Sequence, residues 1–102
     1  AYNGAKHFLN ALTANFRDEV HATHPDIQCS LVSPGVVYTD FGLNARHGGP
    51  DSRSIAEGQT AEEVAAVIVS VVHSRKADVY TRRGARQRVL DYLGALGEDP
   101  RV

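Results

Sequence analysis

The sequence predicts an α/β fold built on a parallel sheet, and three observations lead to this class. The first is the order of segments along the chain, which is helix, strand, loop, helix, strand, helix. The second is that both strand-like segments are short and mostly apolar, as strands covered on both faces are. The third is that a well-delimited helix lies between them, and such a crossover joins parallel strands. Two strands are too few for a complete sheet, so we expect the chain to supply part of one.

The first helix is predicted from Ala1 to about Ala22. Apolar side chains recur there at three- and four-residue steps, which is the stripe of an amphipathic helix. The members of this stripe are Ala5, Phe8, Leu9, Leu12, Phe16 and Val20. Pro25 predicts the end of the helix, because the residue before a proline is displaced from the helical region.

A short, mostly buried strand is predicted over Ile27 to Val32, closed by Ser33-Pro34-Gly35. Cys29 is expected to point inward there as a small core residue. From Val36 to Gln59 no period is sustained, and glycines recur together with a proline. This pattern predicts a long loop with one helical turn near Leu43 to Arg46. Loops of this length in a compact domain are usually either functional or disordered.

The helix after the loop has the clearest start signal in the sequence. Thr60 and Glu63 have the spacing of a capping box, in which each side chain satisfies an orphan backbone amide. Apolar residues then follow at helical spacing as far as Ser74. They are Val64, Val67, Ile68, Val71 and Val72.

The remaining segments complete the alternation. Asp78 to Thr81 is predicted to be the second strand, and Gly84 breaks it. A final helix runs from Ala85 to Leu96, followed by a polar tail from Gly97 to Val102.

Composition limits the classes of function. The 102 residues, 42 % hydrophobic and 23 % charged, predict one globular domain, long enough to bury its own core without a metal or disulfide. A net charge of −1 argues against nucleic acid and anionic membrane as partners. The longest apolar stretch, Val64 to Val72, is about half of the roughly 20 residues that a spanning helix needs. The single cysteine cannot form an internal disulfide, which indicates a reducing compartment, and we expect a cytoplasmic protein.

Tyr2 and Lys6 form the first chemically interesting pair. Four residues apart on a helix, they lie on one face, with Cβ atoms about 5–6 Å apart. An ammonium beside a phenol favours the phenolate and so assists proton exchange near neutral pH. On spacing alone, a solvated lysine beside a packed tyrosine is the simpler interpretation.

The wider context resembles the short-chain dehydrogenase/reductase family. A Tyr-x-x-x-Lys helix, here Tyr2 to Lys6, precedes a strand that ends in a Pro-Gly-x-Val-x-Thr turn, here Pro34 to Thr39. The capped helix from Thr60 resembles the one that follows the family's variable substrate loop, and Asp78 to Thr81 resembles its last core strand. The resemblance extends over essentially the whole chain and implies a doubly wound, Rossmann-type α/β fold.

The resemblance also implies a reaction, the interconversion of an alcohol and a carbonyl by hydride transfer with NAD or NADP. Tyr2 would be the general acid and base, and Lys6 would bind the nicotinamide ribose and assist Tyr2. Pro34 and Gly35 would place their backbone against the nicotinamide ring, since a residue without a Cβ permits close approach.

Further roles are implied for the segment after the turn. Val37 would offer its amide, and Thr39 its hydroxyl, to the carboxamide or a nearby phosphate. The loop from Phe41 to Gln59 would bind a small alcohol or carbonyl substrate. The residues expected to face that substrate are Phe41, Leu43, Asn44 and Arg46. In the family, the first helix packs against its copy in another subunit, so a homodimer or homotetramer is expected.

Several family motifs are missing from the 102 residues. No Gly-x-x-x-Gly-x-Gly turn is present, and Gly48-Gly49-Pro50 lies in the wrong context for one. The family's catalytic serine and its Asn-Ala-Gly motif would both precede Ala1. We therefore expect residues 1–102 to be the C-terminal part of a single Rossmann-type domain, with helix 1–22 and substrate loop 41–59. The alternative is a non-catalytic binding or assembly fragment that keeps the scaffold without a dinucleotide site.

Other chemistries have weaker support. The five histidines form no ligand cluster with Cys29, so no metal site is predicted. Arg82, Arg83, Arg86 and Arg88 form one basic cluster that could bind phosphate or nucleic acid. It lacks interleaved aromatic residues, so a solvated loop and helix start is the simpler interpretation. The choice between NAD and NADP, the substrate and the direction of reaction are not encoded in these motifs.

Overall fold

The computed structural model describes residues 1–100; the last two residues of the predicted tail, at positions 101 and 102, lie outside the described part. It contains three α-helices, a short 3₁₀ turn and two strands. Their bounds are α1 Tyr2–Thr23, β1 Leu31–Ser33, the 3₁₀ turn Ser52–Ser54, α2 Ala61–Ser74, β2 Asp78–Tyr80 and α3 Ala85–Gly94. The predicted order of helices and strands is confirmed.

The two strands pair in parallel, as predicted. Leu31 lies opposite Asp78 and Ser33 opposite Tyr80, with α2 as the crossover between the strands. The Leu31 N–H donates to the Ala77 carbonyl at 2.8 Å, and the Thr81 N–H donates to the Ser33 carbonyl at 3.2 Å. Both strands therefore end at the same edge of the sheet.

The first strand is shorter than predicted and lies further along the chain. The prediction of Ile27 to Val32 is wrong at its start, because the groups before Leu31 bond elsewhere. The Cys29 carbonyl accepts from the Arg17 side chain at 2.8 Å, and the Ser30 hydroxyl donates to the Lys76 carbonyl at 2.7 Å. Lys76, the partner of Ser30, lies before the start of β2, so residues 27–30 have no strand opposite them.

The ends of α1 and α2 follow the local signals in the sequence. The His24 N–H donates to the Val20 carbonyl at 2.7 Å and closes α1, and Pro25 prevents a further turn. The capping box of α2 is confirmed, with the Glu63 N–H on the Thr60 hydroxyl at 3.1 Å and the Thr60 N–H on the Glu63 carboxylate at 2.7 Å. Among the helices formed by residues 1–100, none is both long enough and apolar enough to traverse a bilayer.

Two predictions of local structure need correction. The last helix ends at Gly94 and not at Leu96, with the Ala95 N–H donating to the Asp91 carbonyl at 3.2 Å. Residues 43–46 form turns and no helix, whereas the 3₁₀ turn further along the loop was not predicted. It starts at Asp51, whose carboxylate accepts from the Arg53 N–H at 3.0 Å.

The described chain does not enclose a core, contrary to the expectation from its length. Val71 is the one buried hydrophobic residue within residues 1–100, and Cys29 is partly exposed. The accessible surface is 8258 Å², against about 5,600 Å² expected for a compact chain of this mass. The apolar faces of the helices remain open because a two-stranded sheet is too narrow to cover them.

Arg17 is the main polar connection between α1 and the sheet. Its Nε donates to the Cys29 carbonyl before β1, and its Nη2 donates to the Ala77 carbonyl at 3.1 Å and to Asp78 at 2.9 Å. The arginine side chain is 13 % exposed, and its hydrogen bond to Asp78 raises its pKa above the ordinary arginine value, although burial opposes this. A planar fork with several donors suits a position where two backbone segments and a carboxylate converge.

We expect Arg17→Ala to lower the free energy of unfolding by about 1–2 kcal/mol, because two carbonyls and a carboxylate lose their donor. Arg17→Lys recovers only part of this loss, since an ammonium cannot reproduce the fork. A raised pKa keeps the guanidinium charged at all moderate pH values, and its contribution is lost only above that pKa. The effect is therefore equal at about pH 6 and about pH 9.

Urea denaturation of the unchanged protein and of the two Arg17 variants measures these differences. Arg53→Ala is the matched control, because Arg53 pairs with Asp40 and Asp51 on the exposed surface of the loop. A loss for Arg17→Ala no larger than that of the control would show that Arg17 does not hold α1 on the sheet.

Candidate active site

One cleft unites the three segments that the sequence singles out. It has a volume of about 790 Å³ and lies between the start of α1, the turn after β1 and the loop of residues 41–59. The predicted catalytic and cofactor-binding residues all line it. They are Tyr2, Lys6, Pro34, Gly35, Val37 and Thr39.

Tyr2 and Lys6 lie together in the lining of the cleft. The Lys6 ammonium is 5.6 Å from the centre of the Tyr2 ring. The Tyr2 ring also meets the Phe41 ring, with centres 6.3 Å apart and planes tilted by 57°. Neither the phenol nor the ammonium makes a hydrogen bond within residues 1–100. Both polar groups are therefore free to meet a ligand.

The turn after β1 offers backbone groups to the same cleft. Gln59 binds on either side of Val37: its N–H donates to the Val36 carbonyl and its carbonyl accepts from the Tyr38 N–H, both at 2.9 Å. The Val37 N–H has no acceptor within the described residues, and Val37 lines the cleft. The turn thus presents one unused donor at the position where the family resemblance expects one.

Gly35 has a second neighbour that sequence reasoning does not anticipate. A Cβ at this residue would lie 2.8 Å from the Arg82 Cδ. Arg82 in turn pairs with Glu57 at 3.2 Å, which connects the end of β2 to the end of the loop. The missing side chain of Gly35 therefore makes room for Arg82, in addition to any room it leaves for a ligand. One of the four arginines of the basic cluster is therefore paired with a carboxylate.

Ser52 anchors the loop to the turn and has no role in the predictions from sequence. Its hydroxyl accepts from the Thr39 N–H at 2.9 Å and donates to the Thr39 carbonyl at 2.8 Å. It is 9 % exposed, the one buried polar residue among residues 1–100. The Thr39 hydroxyl accepts from the Phe41 N–H at 3.3 Å, so it is already used in a local turn.

The far end of the loop is fixed by Tyr38 and Gly58. The Gly58 N–H donates to the Tyr38 hydroxyl at 2.9 Å, and the ring lies so close to Gly58 that no Cβ would fit. The Gln59 amide donates to the Thr81 carbonyl at 3.1 Å. Together with Ser52, these contacts hold the loop over the cleft at two points.

The structure divides the four residues predicted to face the substrate. Phe41 lines the cleft, whereas Leu43, Asn44 and Arg46 do not. The Asn44 N–H donates to the Asp40 carbonyl at 2.9 Å and closes a turn. Leu43, Asn44 and Arg46 lie in or just after this turn, outside the lining of the cleft. The loop residues that line the cleft instead include Ala45, Pro50 and Ile55. The sequence carries no periodic signal in this segment from which they could be found.

Charged side chains of the loop bind one another outside the cleft. Arg53 contacts the Asp40 carboxylate at 2.7 Å and the Asp51 carboxylate at 3.3 Å. The hydrogen bond to Asp40 raises the pKa of Arg53, so this cation stays charged. None of these three residues lines the cleft.

Curated proteins with similar sequences share one family name. The chain is 34 % identical over 89 residues to dehydrogenase/reductase SDR family member 7B of Rattus norvegicus, and 32 % identical over 84 residues to that of Xenopus laevis. It is 30 % identical over 84 residues to dehydrogenase/reductase SDR family protein 7-like of Drosophila melanogaster. Each match includes 78 % of this chain and 25 % of the relative. No family model and no solved structure matches the chain.

The chain spans about a quarter of the length of these relatives. Three relatives from separate animals agree with the motif resemblance over most of the chain. The cleft, moreover, brings the Tyr-x-x-x-Lys helix and the Pro-Gly turn together in space. On these grounds the chain belongs, as a partial sequence, to the short-chain dehydrogenase/reductase family.

Proposed function

We propose that the protein containing this chain is an NAD(P)-dependent oxidoreductase that interconverts an alcohol and a carbonyl. The observation that carries the proposal is the cleft, where Tyr2 and Lys6 meet the turn of residues 34–37 with their polar groups unused. Both groups are contributed by α1, and the donor of the turn comes from the chain after β1. The names of the relatives support an oxidoreductase family.

Tyr2 is proposed as the proton donor and acceptor. Tyr2 lines the cleft and is 59 % exposed, and the Lys6 ammonium lies over its ring, 5.6 Å from the ring centre. In the direction of reduction, the carbonyl oxygen takes the phenolic proton while the carbonyl carbon accepts a hydride. In the reverse direction, the phenolate removes the alcohol proton.

The residues present fit the nicotinamide end of a dinucleotide. The free Val37 N–H suits a carboxamide oxygen, and the Lys6 ammonium suits the hydroxyls of a ribose. When bound, a reduced nicotinamide supplies the hydride and becomes oxidised, so electrons and the proton from Tyr2 balance. Pro34 and Gly35 would lie against the ring. A Gly-rich turn for the diphosphate is not found in these 102 residues, so we assign only the nicotinamide end to this chain.

A non-catalytic assembly fragment is the alternative, and it is not favoured. Such a fragment gains nothing from a phenol and an ammonium held unpaired at a cleft. We propose instead that residues 1–102 form the C-terminal part of a Rossmann-type domain. The open faces of its helices agree with this, since α1 exposes Phe8, Leu12 and Phe16. Assembly through α1 into a homodimer or homotetramer, and a cytoplasmic location, stay predictions.

Replacing Tyr2 by Phe tests the proposal in the intact enzyme. We expect turnover of a carbonyl substrate with NADH or NADPH to fall by ~10²-fold or more, because the general acid is lost. Binding of the dinucleotide, measured by fluorescence titration, is unchanged. The matched control is Tyr92→Phe, since Tyr92 is exposed on α3 and does not line the cleft. Turnover by Tyr2→Phe equal to that of the control would remove Tyr2 from the mechanism.

Ser52→Ala tests whether the loop forms the substrate side of the cleft. Without the hydroxyl, both backbone groups of Thr39 lose their partner and the loop is released. We expect the KM of the carbonyl substrate to rise by roughly 10-fold, or about 1.4 kcal/mol, within the range for the two neutral hydrogen bonds lost, and the KM of the dinucleotide to change by less than about twofold.

Ser54→Ala is the control for this variant. Ser54 lies in the same 3₁₀ turn, but its hydroxyl donates to the Asp51 carbonyl at the exposed surface. Equal changes in both KM values for Ser52→Ala would mean that the loop does not distinguish substrate from dinucleotide.

A further inference from the structure

We infer that the substrate is an uncharged and largely apolar alcohol or carbonyl compound, without a carboxylate or phosphate on the part that lies against the loop. This inference rests on the proposed function and concerns the same cleft. It follows from which loop side chains line the cleft and which are bound elsewhere.

The wall that the loop contributes is apolar. It presents Phe41, Ala45, Pro50 and Ile55 to the cleft. Among the described residues that line the cleft, Lys6 is the one with a charged side chain. Lys6 lies against the Tyr2 ring, so its charge is placed at the reacting end of the cleft.

The charged side chains of the loop lie outside the lining of the cleft. Arg53 holds Asp40 and Asp51 outside the cleft, and Arg46 does not reach the lining. Ser52 lines the cleft, but its hydroxyl both donates to and accepts from the Thr39 backbone. The loop therefore places no charged side chain in the lining of the cleft, and a charged group of a substrate set against it would lose water without gaining a partner.

The apolar wall favours instead a substrate with an alkyl or aromatic body. Phe41 and Ile55 are 70 % and 38 % exposed, so both have surface that a ligand could cover. Covering apolar surface is the main source of affinity in such a cleft. Substrate selection thus comes from the absence of charge on the loop wall combined with its apolar surface.

A matched pair of ketones tests this in the intact enzyme. Nonan-2-one and 8-oxononanoate have the same methyl ketone and the same chain length, and differ by a terminal carboxylate. With NADH or NADPH in excess, we expect kcat/KM to be at least ~10²-fold higher for nonan-2-one. Binding of both compounds is measured separately by saturation-transfer NMR without dinucleotide, where the same preference is expected.

Two variants link the preference to the loop. Ile55→Lys places a cation on the apolar wall and should reduce the discrimination by about 10-fold or more, mainly by improving use of 8-oxononanoate. Ile55→Leu, the size-matched control, should keep it. Arg46→Ala should leave the ratio unchanged, and a selective loss of 8-oxononanoate turnover in that variant would overturn the inference, because Arg46 would then contact the substrate.

The remaining outcomes separate this inference from the proposed function. Equal turnover of the two ketones would support an oxidoreductase and overturn the apolar substrate class. Preferential binding of nonan-2-one without turnover would support the apolar cleft and contradict the proposed activity. Binding of neither compound would contradict both.

Discussion

The parallel pairing of β1 with β2 is the constraint on which the candidate site depends. Parallel strands end at the same edge, so the turn after Ser33 and the turn after Tyr80 lie side by side. Because α1 precedes β1 and returns along the sheet, its first residues reach this edge as well. Tyr2 and Lys6 thereby meet Pro34, although about thirty residues separate them from it in sequence. Ligands of open α/β sheets bind at this edge for the same geometric reason.

Features set by neighbouring residues could be predicted from the sequence. The capping box of Thr60 and Glu63 and the end of α1 before Pro25 depend on contacts within one turn. The common face of Tyr2 and Lys6 depends only on helical spacing. The family motifs added the turn at Pro34, which no local rule connects to Tyr2.

Features set by distant contacts could not be predicted. Arg17 binds groups 12 and 61 positions away, and the bonds that it and Ser30 make explain why β1 starts at Leu31 and not at Ile27. The Ser52 hydroxyl binds both backbone groups of Thr39, 13 residues away, across a loop without periodicity. This contact anchors the loop beside the cleft. Arg46 lies outside the lining, although its place in the loop made it a predicted substrate contact.

The proposed function is that the cleft supports the transfer of a hydride and a proton. Its most direct test is the fate of the hydride, followed in the intact enzyme with NADH or NADPH carrying deuterium at C4 of the nicotinamide. Mass spectrometry of the alcohol formed from nonan-2-one should find deuterium on the carbinol carbon when one C4 position is labelled, and none when the label is at the other. An alcohol without deuterium from either labelled form, or no alcohol at all, would contradict the account.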